Sequence, residues 1–391
     1  MFRYLLLTIT TLLVAITSLS AQENIDTANT SGIEYSYTPI VQSDSTHSGH
    51  YILNPETTGK RGNISLLLIP IYTPETNLGI GVGANYQLRS KDGHEEDLVW
   101  QLSLLCNASI TGFYNIRISG NNWLGSSHRN QIDYGLNIES EPSRIWGIDY
   151  NAACGNKYHK YTQKEYSLWG RYTHFIKAFR LGLYGDYRHL GIANPDTEAT
   201  TILQNEPQKI STAGIGWSIT YDSRKLSNNT PLKGIYATVE TIYRPKSLNN
   251  LNGNLWNISA TIDYYQPLWK SAILAFDIHG ELHSSNTPWL LSAELSSVHR
   301  MRSYYIGRYR GNRLATMQVE LRQYNIWHGL GAAAWLGGGI ALSSHETFDW
   351  NYILPTYGIG LRYNLYDTLF RLDAGFGRDG VTFILGINEA F

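Results

Sequence analysis

The sequence predicts an all-β protein, a 16-stranded antiparallel transmembrane β-barrel. Three observations support this prediction: an export signal with no later apolar helix, long segments of two-residue alternation, and an even number of such segments. The composition agrees, because the 391 residues include 36 Gly, 28 Tyr and 11 Trp but only 3 Met. Tyr and Trp favour strands and Gly favours turns, whereas good helix formers are scarce.

The N-terminal residues 1–21 are predicted to be a signal peptide. Arg3 precedes the apolar run at 5–16, and small residues follow it at 18–21. The run is shorter than the roughly twenty apolar residues that a membrane-spanning helix needs. Residues 22–61 are polar and lack periodicity, which predicts a periplasmic tail, and residues 62–391 form the predicted barrel. A formal net charge of −1 argues against a nucleic-acid partner.

Alternation is clearest at 77–89, NLGIGVGANYQLR, where every second side chain is apolar and the others are small or polar. The same division recurs at 355–365, 369–377 and 381–391, and in the last segment Glu389 is the one misfit on the face that includes Phe391. A soluble sandwich also alternates, but its outer face carries many Lys and Glu residues. Here that face carries glycine and a few charges, as expected for a crowded barrel interior, so the barrel is favoured over a soluble secreted β-fold.

Sixteen segments of this kind follow one another from residue 63 onward. Their length, 10 to 15 residues, suits tilted strands that cross a bilayer, and an even number is expected of a single-chain bacterial barrel. The longest gap, 285–312, separates the eleventh and twelfth segments. The predicted starts are 63, 77, 98, 113, 130, 163, 178, 210, 234, 254, 271, 313, 329, 355, 369 and 381.

Three stretches resemble the BamA/TamA family of outer-membrane assembly barrels, also called the bacterial surface antigen family. The first is MRSYYIGRYRGNRL at 301–314, in the long gap, where the family has an aliphatic residue, Arg, Gly and an aromatic residue. Ser303 stands where the family has glycine. The second is YDSRKLSNNTPLKG at 221–234, and the third is FRLDAGFGRDG at 370–380. The residues matched in the first two are Met301, Arg302, Ser303, Tyr304, Tyr305, Gly307, Arg310, Asp222, Arg224, Pro231 and Gly234.

The resemblance implies that the long sixth loop folds into the lumen and that Arg302 meets an acid on the inner wall. In 313–324, alternation places Glu320 on the inward face, so Glu320 is the predicted partner. A buried arginine is costly unless it is paired. The next strand lacks an acid, and Asp373 is the candidate second partner. The alternative is a solvated outer loop whose cations touch lipopolysaccharide phosphates.

The resemblance also implies a function in inserting or translocating outer-membrane proteins through a weak seam between the first and last strands. Pro70 and Phe391 mark the predicted seam, since proline removes a ladder donor and is tolerated mainly at edges. The first strand, 63–72, is apolar on both faces, and shielding by the N-terminal tail is an equal explanation. The expected partners are outer-membrane lipid, lipopolysaccharide, unfolded outer-membrane proteins and a separate periplasmic protein. Residues 22–61 are too few for one of the family's periplasmic POTRA modules.

The sequence is also compatible with two other functions. A passive pore would need a lumen free of plugging loops, and an outer-membrane hydrolase would need a paired nucleophile and base. His279, His283 and Ser285 are the residues nearest to the second requirement, with no orienting acid evident. No catalytic residue, metal site or cofactor is predicted. Cys106 and Cys154 would be able to pair in an oxidising compartment, and the sequence leaves that pairing open.

Overall fold

The computed structural model describes residues 62–89, 98–125, 129–227, 230–365 and 368–391. The predicted signal peptide and polar tail, residues 1–61, lie outside the described residues. The described chain forms sixteen barrel strands in a closed antiparallel sheet. They are β1 (Gly62–Thr73), β2 (Asn77–Arg89), β3 (Leu98–Ser109), β4 (Tyr114–Leu124), β5 (Asn130–Ile145), β6 (His159–Ile176), β7 (Phe179–Ala193), β8 (Lys209–Asp222), β9 (Thr230–Arg244), β10 (Leu255–Pro267), β11 (Ala272–His283), β12 (Arg313–Trp327), β13 (Leu330–Leu342), β14 (Leu354–Leu365), β15 (Thr368–Gly377) and β16 (Gly380–Ile387).

The predicted all-β barrel is confirmed, and so is its number of strands. Alternation fixes which face of each strand turns outward. Along β12, Met317 is 62% exposed while Glu320 on the opposite face is fully buried. The same holds along β14, where Ile359 is 62% exposed and Arg362 is fully buried. The apolar side chains therefore form the outer surface of the barrel, and the polar ones face inward.

Each strand pairs with its sequence neighbour, and β1 and β16 close the sheet. The register between β1 and β2 is complete, from Gly62 opposite Leu88 to Thr73 opposite Asn77. The closing pair is different: Tyr72 opposite Leu385 is the one registered pair between β1 and β16 in the described residues. The barrel thus has one weakly paired position, and it lies between its first and last strands.

The connections on one side of the barrel are longer and carry the other secondary structure. They include α1 (Tyr150–Ala153) in the third outer loop, 146–158, and α2 (Thr197–Ile202) in the fourth, 194–208. The 3₁₀ turns are Lys246–Leu248, Trp289–Leu291 and Trp350–Tyr352. The short strands Ala293–Glu294 and Arg310–Gly311 pair within the sixth loop, 284–312. On the opposite side of the barrel, Lys225–Ser227 in the β8–β9 connection pairs with the start of β9. Over the described residues, every helix is too short or too polar to cross a bilayer.

Two clusters of buried apolar residues lie beneath these loops. The first joins the fourth, fifth (245–254) and sixth loops to the ends of β5 to β8 and β10. The second joins the third, sixth and seventh (343–353) loops to β12, β13 and β14. The first comprises Ile145, Tyr161, Leu190, Ala199, Leu203, Ile210, Leu255, Trp289, Leu290 and Leu291. The second comprises Tyr150, Ala153, Ala293, Leu295, Met301, Tyr304, Tyr309, Leu314, Ala341 and Leu354. Burial of apolar surface therefore holds the loops together across this end of the barrel.

Candidate functional site

Arg302, in the sixth loop, lies fully buried against the inward faces of two strands. Its guanidinium forms an ion pair with Glu320 on β12 and donates to the Oδ2 atom of Asp373 on β15 at 2.5 Å. The same group stacks on the ring of Trp335 on β13, with 3.8 Å between Cζ and the ring centroid. The structure brings together the three residues predicted as a lumen latch, Arg302, Glu320 and Asp373.

Glu320 and Asp373 also bind arginines other than Arg302. Glu320 also accepts from Arg322 at 3.1 Å and from Arg362 at 3.0 Å, and Asp373 accepts from Arg362 at 2.7 Å. Buried charges are tolerated when each has an opposite partner and its hydrogen bonds are made. The latch is therefore part of a larger buried network in which arginines and carboxylates alternate.

Glycine on the inner wall makes room for the loop backbone. A Cβ on Gly375 would lie 2.6 Å from the carbonyl oxygen of Arg302, and a Cβ on Gly377 would lie 2.8 Å from the Tyr304 ring. Larger residues at these two places on β15 would push the loop off the wall. Ser303, at the position where the BamA/TamA signature has glycine, does not have a positive φ; Met301 does, at 48°. The hydroxyl of Ser303 lies 2.6 Å from that of Thr356, so serine carries no left-handed strain at this position.

The remaining residues of the loop motif contact other loops. The hydroxyl of Tyr304 donates to the Pro355 carbonyl at 2.5 Å, and the ring of Tyr305 packs on Trp146 with 5.2 Å between centroids. Gly307 has a φ of 79°, which only glycine adopts freely. Arg310 forms an ion pair with Glu294, within the sixth loop. These four residues therefore fix the outer part of the loop and do not join the latch.

A buried acid connects the sixth loop to the seam strand. Glu75 lies in the turn between β1 and β2, is 5% exposed, and accepts from the Ile306 N–H at 2.7 Å. Burial raises the pKa of Glu75 to about 7, although the Ile306 N–H and the Arg144 charge act to lower that pKa. The protonation state of this carboxyl group therefore changes near neutral pH.

Solved structures of BamA and CdiB match this architecture. BamA from Haemophilus ducreyi lacking POTRA domains 1–3 matches with a TM-score of 0.60 and 12% identity, over 83% of this chain and 70% of that one. CdiB from Acinetobacter baumannii gives a TM-score of 0.55 and 12% identity, over 84% of this chain and 60% of that one. CdiB from Escherichia coli gives 0.54 and 16%, over 85% and 63%.

The chain has the fold of the BamA and CdiB barrels. At 12 to 16% identity the similarity establishes the fold, and the chain spans 60 to 70% of the length of these three structures. No protein-family model matches the sequence, and no curated protein matches it either.

The second motif of the BamA-like resemblance lies elsewhere, at the turn between β8 and β9. Asp222 accepts from both Arg224 and Arg180 at 2.8 Å, and the Arg224 guanidinium lies 4.3 Å from the Tyr236 ring centroid. Gly234 has a φ of 117°, and a Cβ there would lie 2.4 Å from the Ser223 carbonyl oxygen. Pro231 pairs with Leu226 in the short hairpin before that position. This motif shapes a turn and is separate from Arg302.

The predicted position of Phe391 in the last strand at the seam is wrong. The strand β16 ends at Ile387, and Asn388, with a φ of 62°, turns the chain inward. The Phe391 ring then lies 4.6 Å from the Arg322 guanidinium and packs against Tyr265 and its apolar neighbours on β11. Alternation fails here because it assumes that the strand continues. Pro70 does lie in β1, opposite Ile80 of β2.

The turned segment 388–391 adds residues that the sequence analysis missed. Glu389 accepts from Arg362 Nε at 2.9 and 3.0 Å and from the Tyr324 hydroxyl at 2.8 Å. The Ala390 carbonyl lies 2.6 Å from Nδ1 of His299 in the sixth loop. The sequence did contain a signal for this turn. If the strand continued, Glu389 would face lipid, where an acid is costly.

A second loop arginine was also missed. Arg300 donates from Nε to both oxygens of Asp277 on β11, at 2.9 and 2.8 Å. Asp277 is fully buried. Arg300 directly precedes the motif, and alternation along β11 would have placed Asp277 inward. Two arginines of the sixth loop, Arg300 and Arg302, are therefore paired with acids on the barrel wall.

The residues considered for a hydrolase do not form a nucleophile and base pair. His279 and His283 both contact Glu281, at 2.9 and 3.1 Å, so an acid does lie between them. Ser285 is exposed, and among the described residues no hydrogen bond joins it to His283. Cys106 and Cys154 are both free thiols. Within the described ranges, no group of three or more acidic, His or Cys side chains has the arrangement of a metal site.

Proposed function

We propose that this chain is a short outer-membrane member of the BamA/TamA family that assists the insertion or translocation of outer-membrane proteins. The barrel fold and its BamA and CdiB neighbours point to the Gram-negative outer membrane. The apolar outer surface suits contact with outer-membrane lipid and lipopolysaccharide. No nucleic-acid partner is proposed, because the net charge is close to zero.

The observation that carries the proposal is the weak seam. A strand whose main-chain donors and acceptors are unpaired is a template for another strand. Tyr72 with Leu385 is the one registered pair between β1 and β16 over the described residues, whereas β15 and β16 are in register from Phe370–Ile387 to Gly377–Gly380. An incoming strand would pair at the edge that β1 exposes.

The buried loop network supports the same function. The sixth loop is anchored on β11, β12 and β15 through Arg300 and Arg302, and Glu75 connects it to the β1–β2 turn. In this proposal the loop stays fixed inside the lumen and holds β11, β12 and β15 in place while β1 and β16 separate. A separate periplasmic protein would deliver the unfolded substrate.

The seam can be tested by a reversible cross-link. With Cys106 and Cys154 replaced by serine, the pair Tyr72→Cys and Leu385→Cys places two thiols at the seam, and Ala374→Cys with Phe383→Cys places two between β15 and β16. Cells depleted of the native protein and given the seam pair should lose other barrels from the outer membrane, as measured by proteomics, and recover them with reductant.

The β15–β16 pair is the matched control and should support normal barrel levels in its oxidised form. Loss of function from both pairs, or from neither, would contradict the role of the seam. If depletion of the native protein leaves the level of every other barrel unchanged, the insertion function itself is refuted.

A further inference from the structure

A cavity of about 100 Å³ lies on the side of the barrel away from the latch. Its walls are inward-facing residues of β5 to β11, and residues 287–294 of the sixth loop form part of its boundary. At the liquid volume of about 30 Å³ per molecule, it has room for roughly three water molecules. It is therefore large enough for a small organic group.

The cavity is lined by five carboxylates, Glu141, Asp186, Glu240, Glu281 and Glu294, and by three arginines. All three arginines already have acidic partners. Arg244 makes two bonds of 2.7 Å to Asp186, Arg188 binds both oxygens of Glu165 at 3.1 and 3.2 Å, and Arg310 is paired with Glu294. The cavity consequently offers no spare arginine to an anionic ligand, and Glu141 and Glu281 are the lining acids without an arginine partner among the described residues.

Glu141 differs from the other four acids. It is 7% exposed and lines the cavity. Its side-chain oxygens make no hydrogen bond and no ion pair with any residue in the described part of the chain, whereas its main-chain carbonyl accepts from the Ser143 hydroxyl at 3.2 Å. Burial without a partner disfavours the charged form of this side chain, so the unliganded site favours the neutral acid, and a cation bound beside it would stabilise the carboxylate.

We propose that this cavity binds the ammonium or guanidinium group of a small organic cation, with Glu141 as its counter-ion. Glu281, which contacts His279 and His283, adds a second carboxylate to the lining, whereas Glu240 is already paired with Arg171. Leu255, Leu290 and Leu291 give apolar surface for a short alkyl chain. The cation is either a free amine or the basic side chain of a polypeptide in the lumen, and the site is independent of the seam.

Isothermal titration of the purified full-length protein in detergent tests the site. The probes are 1,4-diaminobutane, Nα-acetyl-lysine amide and, as a neutral match for size, 1,4-butanediol. The diamine should bind and the diol should not. Glu141→Gln should lower the affinity for the diamine about tenfold or more, as expected for the loss of a charge-assisted hydrogen bond. Binding of the lysine amide with the same dependence on Glu141 assigns the site to side chains; binding of the diamine alone assigns it to free amines.

The matched control is Glu198→Gln, which removes an exposed acid from α2 and should leave the affinity unchanged. Glu141→Asp keeps the charge but withdraws the carboxylate by one methylene, so it should bind more weakly than the native protein even if Glu141→Gln folds poorly. Absence of amine binding, equal binding of the diol, or affinities unchanged by both Glu141 substitutions would overturn the proposal.

Discussion

Arg302 illustrates why a guanidinium, and not an ammonium, suits the latch. Its planar fork reaches Glu320 and Asp373 on two different strands at once, and its flat face lies on the Trp335 ring. A lysine has one point charge and no flat face, so it would satisfy one acid and lose the stacking. The choice of residue follows from two acceptors that lie on separate strands.

Replacing Arg302 should therefore destabilise the barrel. We expect Arg302→Ala to cost about 3–5 kcal/mol, since it leaves buried acids short of a partner, and Arg302→Lys to recover only part of that loss. Heat-modifiable gel mobility measures the melting of the barrel. Arg313→Ala is the control, because Arg313 is exposed on the same strand as Glu320 and binds only main-chain oxygens.

A double-mutant cycle separates the pair from its surroundings. Glu320→Ala should cost at least as much as Arg302→Ala, because Glu320 also serves Arg322 and Arg362. The combined variant should lose little more than Glu320→Ala alone. Additive losses would mean that the two side chains contribute independently, against the contact between them.

Glu75 should make stability depend on pH. Its pKa is about 7 in the folded protein and near 4.5 when exposed. The folded state thus binds more protons between these values, so the free energy of unfolding falls as pH rises from about 4.5 to 7, by about 3 kcal/mol at most, and then levels off. Glu75→Gln should remove this part of the fall. Melting temperatures measured from pH 5 to 8 test the prediction, and identical slopes in the two proteins would contradict it.

The strands are the elements that the sequence predicts best. All sixteen starts agree with the structure to within four residues, and the largest differences are at β6 and β9. Alternation is informative because a shift of one residue would turn every lipid-facing side chain inward. Alternation also predicts that Glu320 and Asp373 face inward, because the face on which a side chain lies depends only on the neighbouring residues of its own strand.

Contacts between distant parts of the chain were harder to predict. Nothing local indicates that Glu389 meets Arg362, or that His299 of the sixth loop lies beside Ala390. These contacts depend on where a loop and a turned segment meet across the barrel. The helix α2 was likewise missed, because its six residues are too few for a periodic pattern and Ala199 alone is buried among them.

The turned segment 388–391 should stabilise the sixth loop. Glu389→Gln weakens the bonds to Arg362, and we expect a loss of about 1–3 kcal/mol, together with faster proteolysis of the sixth loop through the His299 contact. Melting and limited proteolysis of the folded barrel measure the two effects. Glu198→Gln serves again as a control on an exposed acid, and normal protease resistance in Glu389→Gln would show that this segment does not support the loop.

At the level of the whole molecule, two apolar clusters and the sixth loop lie across one end of the barrel. Tightly packed apolar groups exclude water and ions, so the closed state should conduct poorly. A passive pore would instead need an open path through the lumen. Conductance therefore distinguishes a plugged barrel from a pore, whatever the substrate.

Single-channel recording in planar bilayers should show a small conductance for the native protein. Arg302→Ala releases the loop from Glu320 and Asp373, so openings should become larger and more frequent, while Arg313→Ala should behave as the native protein does. A large and steady native conductance that Arg302→Ala leaves unchanged would favour the passive pore. The cross-link acts between β1 and β16, whereas Arg302→Ala acts on the sixth loop. The two experiments can therefore give opposite results, and together they distinguish a function of the seam from a function of the loop.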